Sequence, residues 1–458
     1  MGTEKPFRRE GRIMIKDMTK GNPGKILFLF AIPMVLGNMF QQLYSIIDSI
    51  IVGKFVGAEA LAAVGASYPI TFVCITIANG AGIGCSVVIA QFFGAKKYVE
   101  VKSSIYTSLI SMLVISLFIS IIGYLLTENI LTLMNTPYDI FKDAKVYLQI
   151  YFIGVVFLFI YNIVNSSFNS LGDSKTPLFF LIFSSLVNII LDLIFVINFN
   201  MGVRGAAIAT SISQGISAVL SVSFLYKRIK KMVSCENLKV FNFSIFKSIG
   251  RIALPSILQQ SVISIGNLFV QALVNSFGSI VIAGYTAASK IDSLSILPMA
   301  NMSNAVSAFS AQNIGGNKID RVYKGYREAL KIIAVFCIVI AVIIFLYGKQ
   351  IIGLFVNEHV SNEVISFGEN YLRIVSLCYF FMGFMVITNG ILRAAGDMKN
   401  FLITSFINLS VRVIASYVLS IVLFENSIAC AVPLGWIMAS IFVYIRYKSG
   451  SWKDKKAV

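Results

Sequence analysis

Hydrophobic positions along the chain fall into long runs separated by short polar stretches, without the two-residue alternation of half-buried strands. The runs occupy about 26–53, 59–90, 103–126, 144–170, 177–199 and 204–226. After a basic polar stretch they resume at about 246–276, 280–309, 328–347, 364–392, 400–424 and 427–446. At 1.5 Å per residue, each is long enough for an α-helix to cross a bilayer. The short alternating segments of a membrane barrel are absent. The pattern predicts an all-α membrane protein of twelve transmembrane helices.

Composition agrees. Of the 458 residues, 57% are hydrophobic and 13% charged, where a soluble chain carries about a quarter charged residues. The first run is too long for a signal peptide and no cleavage site follows it, so it reads as a retained span. The net charge of +17 raises the question of nucleic acid, and the positions of the charges answer it. Thirty of the 38 Lys and Arg fall in the two terminal tails and alternate loops, and five fall in the other loops. This asymmetry predicts cytoplasmic tails at both ends and accounts for the charge without a nucleic-acid partner. The lipid bilayer is the partner implied. The six Cys show no CxxC spacing and the single His359 builds no metal site alone, so no cofactor is expected. No nucleophile–base set is visible either, so an integral-membrane enzyme is not expected.

The two halves repeat. Pro33 and Pro255 stand 222 apart, Ala90-Gln91-Phe92-Phe93-Gly94 and Ala311-Gln312-Asn313-Ile314-Gly315 stand 221 apart, and Gly172-Asp173 and Gly396-Asp397 stand 224 apart. Six spans per repeat give parallel halves, related by a pseudo-two-fold axis along the membrane normal, an arrangement found in transporters. The predicted organisation is a basic tail (1–25), an N-lobe (26–226), a cytoplasmic linker (227–245), a C-lobe (246–446) and a tail (447–458).

Within the first run the one charge is Asp48. A carboxylate at membrane depth costs roughly 2.5–3.5 kcal/mol, which an ordinary structural helix has no reason to bear. Gln41, Tyr44 and Asp48 share one helix face, which either bonds neighbouring helices or lines a wet cavity. Asp192, with Asn188 one turn before it, is a second intramembrane acid, and Asn162, Asn165 and Asn169 stripe the preceding span. These are either a buried network or a cavity wall. The second half offers Gln259, Gln260, Lys290, Asp292 and Arg412. A Lys290–Asp292 or Arg412–Asp292 pair would be structural, and the alternative is contact with a substrate. Glu369 and Arg373 lie four apart and suit a simple ion pair. Pro33, fifteen residues before Asp48, is a candidate hinge.

Taken together, Pro33…Gln41…Tyr44…Asp48, Val56-Gly57, Ala90-Gln91-x-x-Gly94, Leu171-Gly172-Asp173 and Asn188-Ile189-Ile190-Leu191-Asp192 resemble the multidrug and toxic compound extrusion (MATE) family. Gly205-Ala206-Ala207-Ile208-Ala209-Thr210, Ala283-Gly284-Tyr285, Lys290-x-Asp292 and Ala311-Gln312-x-x-Gly315-Gly316 extend the likeness over about residues 20–446. The resemblance implies two six-helix lobes around a V-shaped cleft, and export of small organic cations driven by inward H+ or Na+. It implies an ion site at Asp48, Asn188, Asp192 and Thr210, and an N-lobe cavity lined by Gln41, Tyr44, Asn162 and Asn165. Another branch of the family uses acids in spans 7 and 10. With Gln259-Gln260 in span 7, this chain is not expected to hold Na+ there. Asp48 and Asp192, if close, would share a proton or a Na+, and an organic cation would compete for the same charge. A flippase for a lipid-linked saccharide, or an exporter of a polar metabolite, is the alternative, although a pyrophosphate would call for a basic cavity. The resemblance also implies a multi-pass protein of a bacterial inner membrane, expected to act as a monomer.

Overall fold

The computed structural model describes residues 16–232, 238–354 and 362–455. Cys235 and His359 lie outside the described residues. The first lobe comprises α1 (Pro23–Phe55), α2 (Ala58–Gly94), α3 (Tyr98–Leu133), α4 (Tyr138–Ser170), α5 (Lys175–Asp192) and α6 (Gly202–Lys230). A π-helical turn, Leu193–Asn198, prolongs α5. The second lobe comprises α7 (Phe243–Ser276), α8 (Ser279–Gly315), α9 (Ile319–Gly353), α10 (Asn362–Leu377), α11 (Tyr379–Ala395), α12 (Met398–Leu423) and α13 (Asn426–Lys448). Eleven of these helical stretches are long and apolar enough to cross a membrane singly, and α10 with α11 makes the twelfth span, bent by 51°.

The bend breaks what the sequence reads as one run. No proline stands there. The ladder is interrupted at Cys378, whose amide donates three residues back to the Val375 carbonyl at 3.0 Å, a tighter turn than the α-helix supports. The bend also seats Tyr379, which is fully buried. By contrast, α1, α2, α7, α8 and α13 run on through their internal prolines without a break.

Equivalent residues start and pin equivalent elements in both lobes. Asn22 caps α1 by accepting from the Lys25 amide, and Asn242 caps α7 by accepting from the Ser244 amide. In the repeated Gly-Asp pair, Gly172 and Gly396 adopt φ of +79° and +83°, a left-handed turn that favours glycine. Asp173 then accepts from the Thr176 amide at 3.0 Å and pairs with Arg228 at the end of α6. Asp397 accepts from the Asn400 amide group at 2.8 Å and pairs with Lys455 just beyond α13 at 2.5 Å. Each lobe's last span is thereby tied to its middle.

All these ties lie at the end of the molecule where α1 begins and α13 ends, called here the terminal end. There the lobes meet. α2 and α8 cross so closely that a Cβ on Gly94 would fall 1.8 Å from the Gln312 carbonyl oxygen, and one on Gly315 would fall 2.0 Å from that of Gln91. Only glycine permits this contact of backbones. The Gln91 amide donates to the Ala394 carbonyl and the Gln312 amide to the Ser170 carbonyl, each at 2.7 Å, across the lobe boundary in both directions. The segment before α1 adds a strap. Lys16 donates to the Leu171 carbonyl of the first lobe, while the buried Met18 donates to Gln312 and accepts from Arg321 of the second. The lobes are therefore closed at the terminal end. At the other end, the cavity-side positions Gln41, Ser45 and Ser49 of α1 stand exposed.

Candidate functional site

Between the lobes lies a cavity of about 1290 Å³, larger than the usual 300–1,000 Å³ ligand pocket. α1 contributes Pro33, Gln41, Tyr44 and Asp48 to its wall, as the shared helix face predicts, while Leu43, Ile46, Ile47 and Ile50 are exposed among its other positions. α1 is unbroken at Pro33, so the proposed hinge lines the cavity as part of a continuous helix.

Behind Asp48 stands Asp192, fully buried as the last residue of α5. The two carboxyls neighbour each other and interact electrostatically. Oδ1 of Asp48, both oxygens of Asp192 and Oδ1 of Asn188 are buried without a donor from the described residues. Asn188 donates to the Thr210 hydroxyl at 3.4 Å, tying α5 to α6. Tyr44 and Tyr147 stand beside the acids. The π-helical turn begins right after Asp192, a local change of pitch of the sort that often marks functional sites. Such a set of oxygens has little to offer one another. Two facing carboxylates repel unless a proton or a cation lies between them.

The α4 asparagines resolve the choice between network and wall. Asn162 donates to its own helix at Leu158, and Asn169 donates to Asn165 at 2.9 Å. Their bonds stay within α4, and all three line the cavity. On the second lobe Gln259 donates to the Ser405 hydroxyl at 3.0 Å, and Gln260 also lines the cavity. Asp292 reaches the cavity, but Lys290 does not: it is exposed and absent from the wall. Two residues along a helix is a rotation of about 200°, so the two side chains leave opposite sides of α8. Neither Lys290 nor Arg412 forms an ion pair with Asp292. The Tyr379 hydroxyl, brought in by the α10–α11 bend, donates to it at 2.8 Å. Glu369 and Arg373 do pair, at 2.8 Å.

The structure adds cavity residues that spacing alone did not single out: Tyr147, Tyr371, Asn389 and Arg393. A signal for two of them was present. The offset of 224 that relates the Gly-Asp pairs also relates Tyr147 to Tyr371 and Asn165 to Asn389. Asn38 and Asn301 join the lobes across the cavity at 2.8 Å.

The MatE family model matches residues 33–194 and 255–418, one stretch in each lobe. The chain is 33% identical over 441 residues to a protein of Bacillus subtilis (strain 168) named "Probable multidrug resistance protein YpnP", covering 96% of this chain and 98% of that one. It is 27% identical to "Probable multidrug resistance protein YoeA" of the same organism over 84% of each chain. A solved structure described as the outward-facing conformation of a multidrug resistance MATE family transporter superposes with a TM-score of 0.89 at 25% identity, covering 97% of this chain and all of that one.

Proposed function

Since the chain belongs to the MatE family of multidrug efflux transporters, we propose that it exports amphipathic organic cations in exchange for H+ or Na+ by alternating access of its two lobes. The observation that carries this reading is the cluster of buried oxygens without donors among the described residues at Asp48, Asp192 and Asn188, with Asp48 and Asn188 in the wall of the cavity between the lobes and Asp192 behind it. Asp48 lies between the cavity and Asp192. A cation in the cavity and an ion held by the two acids draw on the same negative charge, so each displaces the other. Mutual exclusion of this kind is the condition for exchange. Gln41, Tyr44, Asn162, Asn165, Gln259, Gln260 and Asp292 shape the cargo's surroundings, and Thr210 orients Asn188.

The distribution of Lys and Arg supports cytoplasmic termini. With that orientation the closed terminal end faces the cytoplasm, and the cavity opens outward. The protein then resides in a bacterial inner membrane and works as a monomer, each chain having both lobes and the cavity between them.

Ethidium export from proteoliposomes, under an imposed H+ gradient, an imposed Na+ gradient or neither, tests the exchange. One of the two gradients should accelerate export severalfold. Export indifferent to both would contradict the proposal.

A further inference from the structure

We propose that the segment 16–22, ahead of α1, is a latch: clamped to the second lobe by Arg321, it sets how readily the terminal end opens. A latch presupposes the alternating access proposed above. It governs one end of that movement and involves neither the cargo nor the exchanged ion.

The chain's course makes the segment a bridge. α1 belongs to the first lobe and packs against α5, with Gly37 set on Leu178 and Leu181. The residues that lead into α1 lie on the second lobe. The Met18 amide donates to Gln312 Oε1 at 3.0 Å, and the Met18 carbonyl accepts from Arg321 at 3.2 Å and from Asn313 at 3.3 Å. Arg321 Nη1 donates to the Gly21 carbonyl at 2.9 Å, and Lys318 donates to the Thr19 carbonyl at 2.9 Å and hydroxyl at 3.2 Å. The Met18 side chain is fully buried. Toward the first lobe, the Lys16 amide donates to the Leu171 carbonyl at 3.3 Å, and a Cβ on Gly172 would stand 2.2 Å from the Lys16 carbonyl oxygen. The lobes cannot part at this end while α1 stays on α5 and the segment stays on α8 and α9. One set of contacts has to give.

Arg321 is the clamp. Its Nε donates to Asn313 Oδ1 at 3.1 Å and its guanidinium lies over the Phe309 ring. α8 thus fixes the fork before it takes the two carbonyls of the segment, and a fixed planar fork loses little freedom per bond. All three bonds go to neutral oxygens, and the one to Gly21 is solvent-exposed. Each such bond stabilises only modestly against water, so the set holds the end closed and still yields during turnover. Gln312 joins the latch to the seal, since its Nε2 donates to the Ser170 carbonyl of the first lobe at 2.7 Å.

Pseudo-symmetry sets the arginine apart. The segment before α7 lies on α3, where Ser103 donates to the Lys239 carbonyl at 2.7 Å and the Asn242 amide donates to the Thr107 hydroxyl at 3.0 Å. The offset of 221 that relates Gln91 to Gln312 places Glu100 opposite Arg321. An ionised carboxylate has no hydrogen to give a carbonyl, so the clamp is particular to the α1 side.

The test uses the cysteine-free full-length protein in proteoliposomes. Ser307→Cys, in the cavity wall, reports opening of the terminal end, and Ser49→Cys, exposed on the cavity side of α1, reports the other end. A membrane-impermeant maleimide is applied from the corresponding side. Arg321→Gln should speed Ser307→Cys labelling severalfold with no rise at Ser49→Cys, the signature of a shifted two-state balance. Met18→Ala should do the same, and it keeps the test open if Arg321→Gln does not insert. Lys20→Ala, whose ion pair with Asp17 stays within the segment, should change neither rate. Unchanged Ser307→Cys labelling in Arg321→Gln and Met18→Ala would overturn the latch while leaving transport standing. Acceleration at both ends would also overturn it, because that marks a loosened fold. If Ser307→Cys in the otherwise unsubstituted protein never reacts from the terminal side, even with ethidium and both ion gradients supplied, alternating access falls and the latch with it.

Discussion

Asp173 and Asp397 show what a repeated residue is for. Each follows a glycine in a left-handed turn and takes a cation from the end of its lobe; Asp173 also accepts from the backbone amide of Thr176 in the next helix, whereas Asp397 accepts from the Asn400 side chain. The pairs differ in exposure. Arg228 is 12% exposed and Lys455 44%, while both aspartates are 1% exposed. Breaking a buried ion pair from one side costs about 3–5 kcal/mol, and solvent screening reduces that for an exposed partner. Asp173→Ala should therefore lower the thermal midpoint in detergent clearly more than Asp397→Ala. Equal shifts would contradict this account. The Gly-Asp motif is plain in the sequence, but its partners are not: they lie 55 and 58 residues downstream, and only the folded lobe brings them back. Lys290 shows the opposite failure. Its charge made it a candidate, but helical rotation sends it away from the cavity.

At the scale of elements, spacing worked wherever the α-helix was regular. The Gln41–Tyr44–Asp48 face is a direct consequence of 3.6 residues per turn, and it lines the cavity as read. It failed where pitch changes. Neither the α10–α11 bend nor the π-helical turn after Asp192 has a proline to announce it, and each is set by tertiary packing. The α2–α8 crossing was legible only as a repeated Ala-Gln-x-x-Gly. Its meaning, a backbone contact that closes one end, needs both lobes. Gly315→Val places side-chain atoms against the Gln91 backbone and should force the terminal end apart. In a cysteine-free background carrying Ser307→Cys, which lines the cavity, a membrane-impermeant maleimide applied from the terminal side should then react severalfold faster. Unchanged labelling would show that the crossing is not the seal.

For the whole molecule, the duplication and the alternation of charged loops were readable because both are properties of the chain's order. The asymmetry of the cavity was only half readable. The acids of the first lobe stood out against apolar sequence, whereas the buried Nε of Arg412, without an acceptor among the described residues, depends on distances that the sequence does not contain. The exchange has a simple driving force. One charge crossing 100 mV is worth about 2.3 kcal/mol, and one pH unit about 1.36 kcal/mol. One-for-one exchange of H+ for a monovalent cation uses only the second. Two acids side by side allow a second ion and access to the first. The central claim is that Asp48 carries the charge that ion and cargo share. It is tested most directly by ethidium export from proteoliposomes containing Asp48→Asn at wild-type levels of insertion, with inward H+ and Na+ gradients imposed together. Export should fall to the level of protein-free liposomes, and export at the wild-type rate would contradict the account.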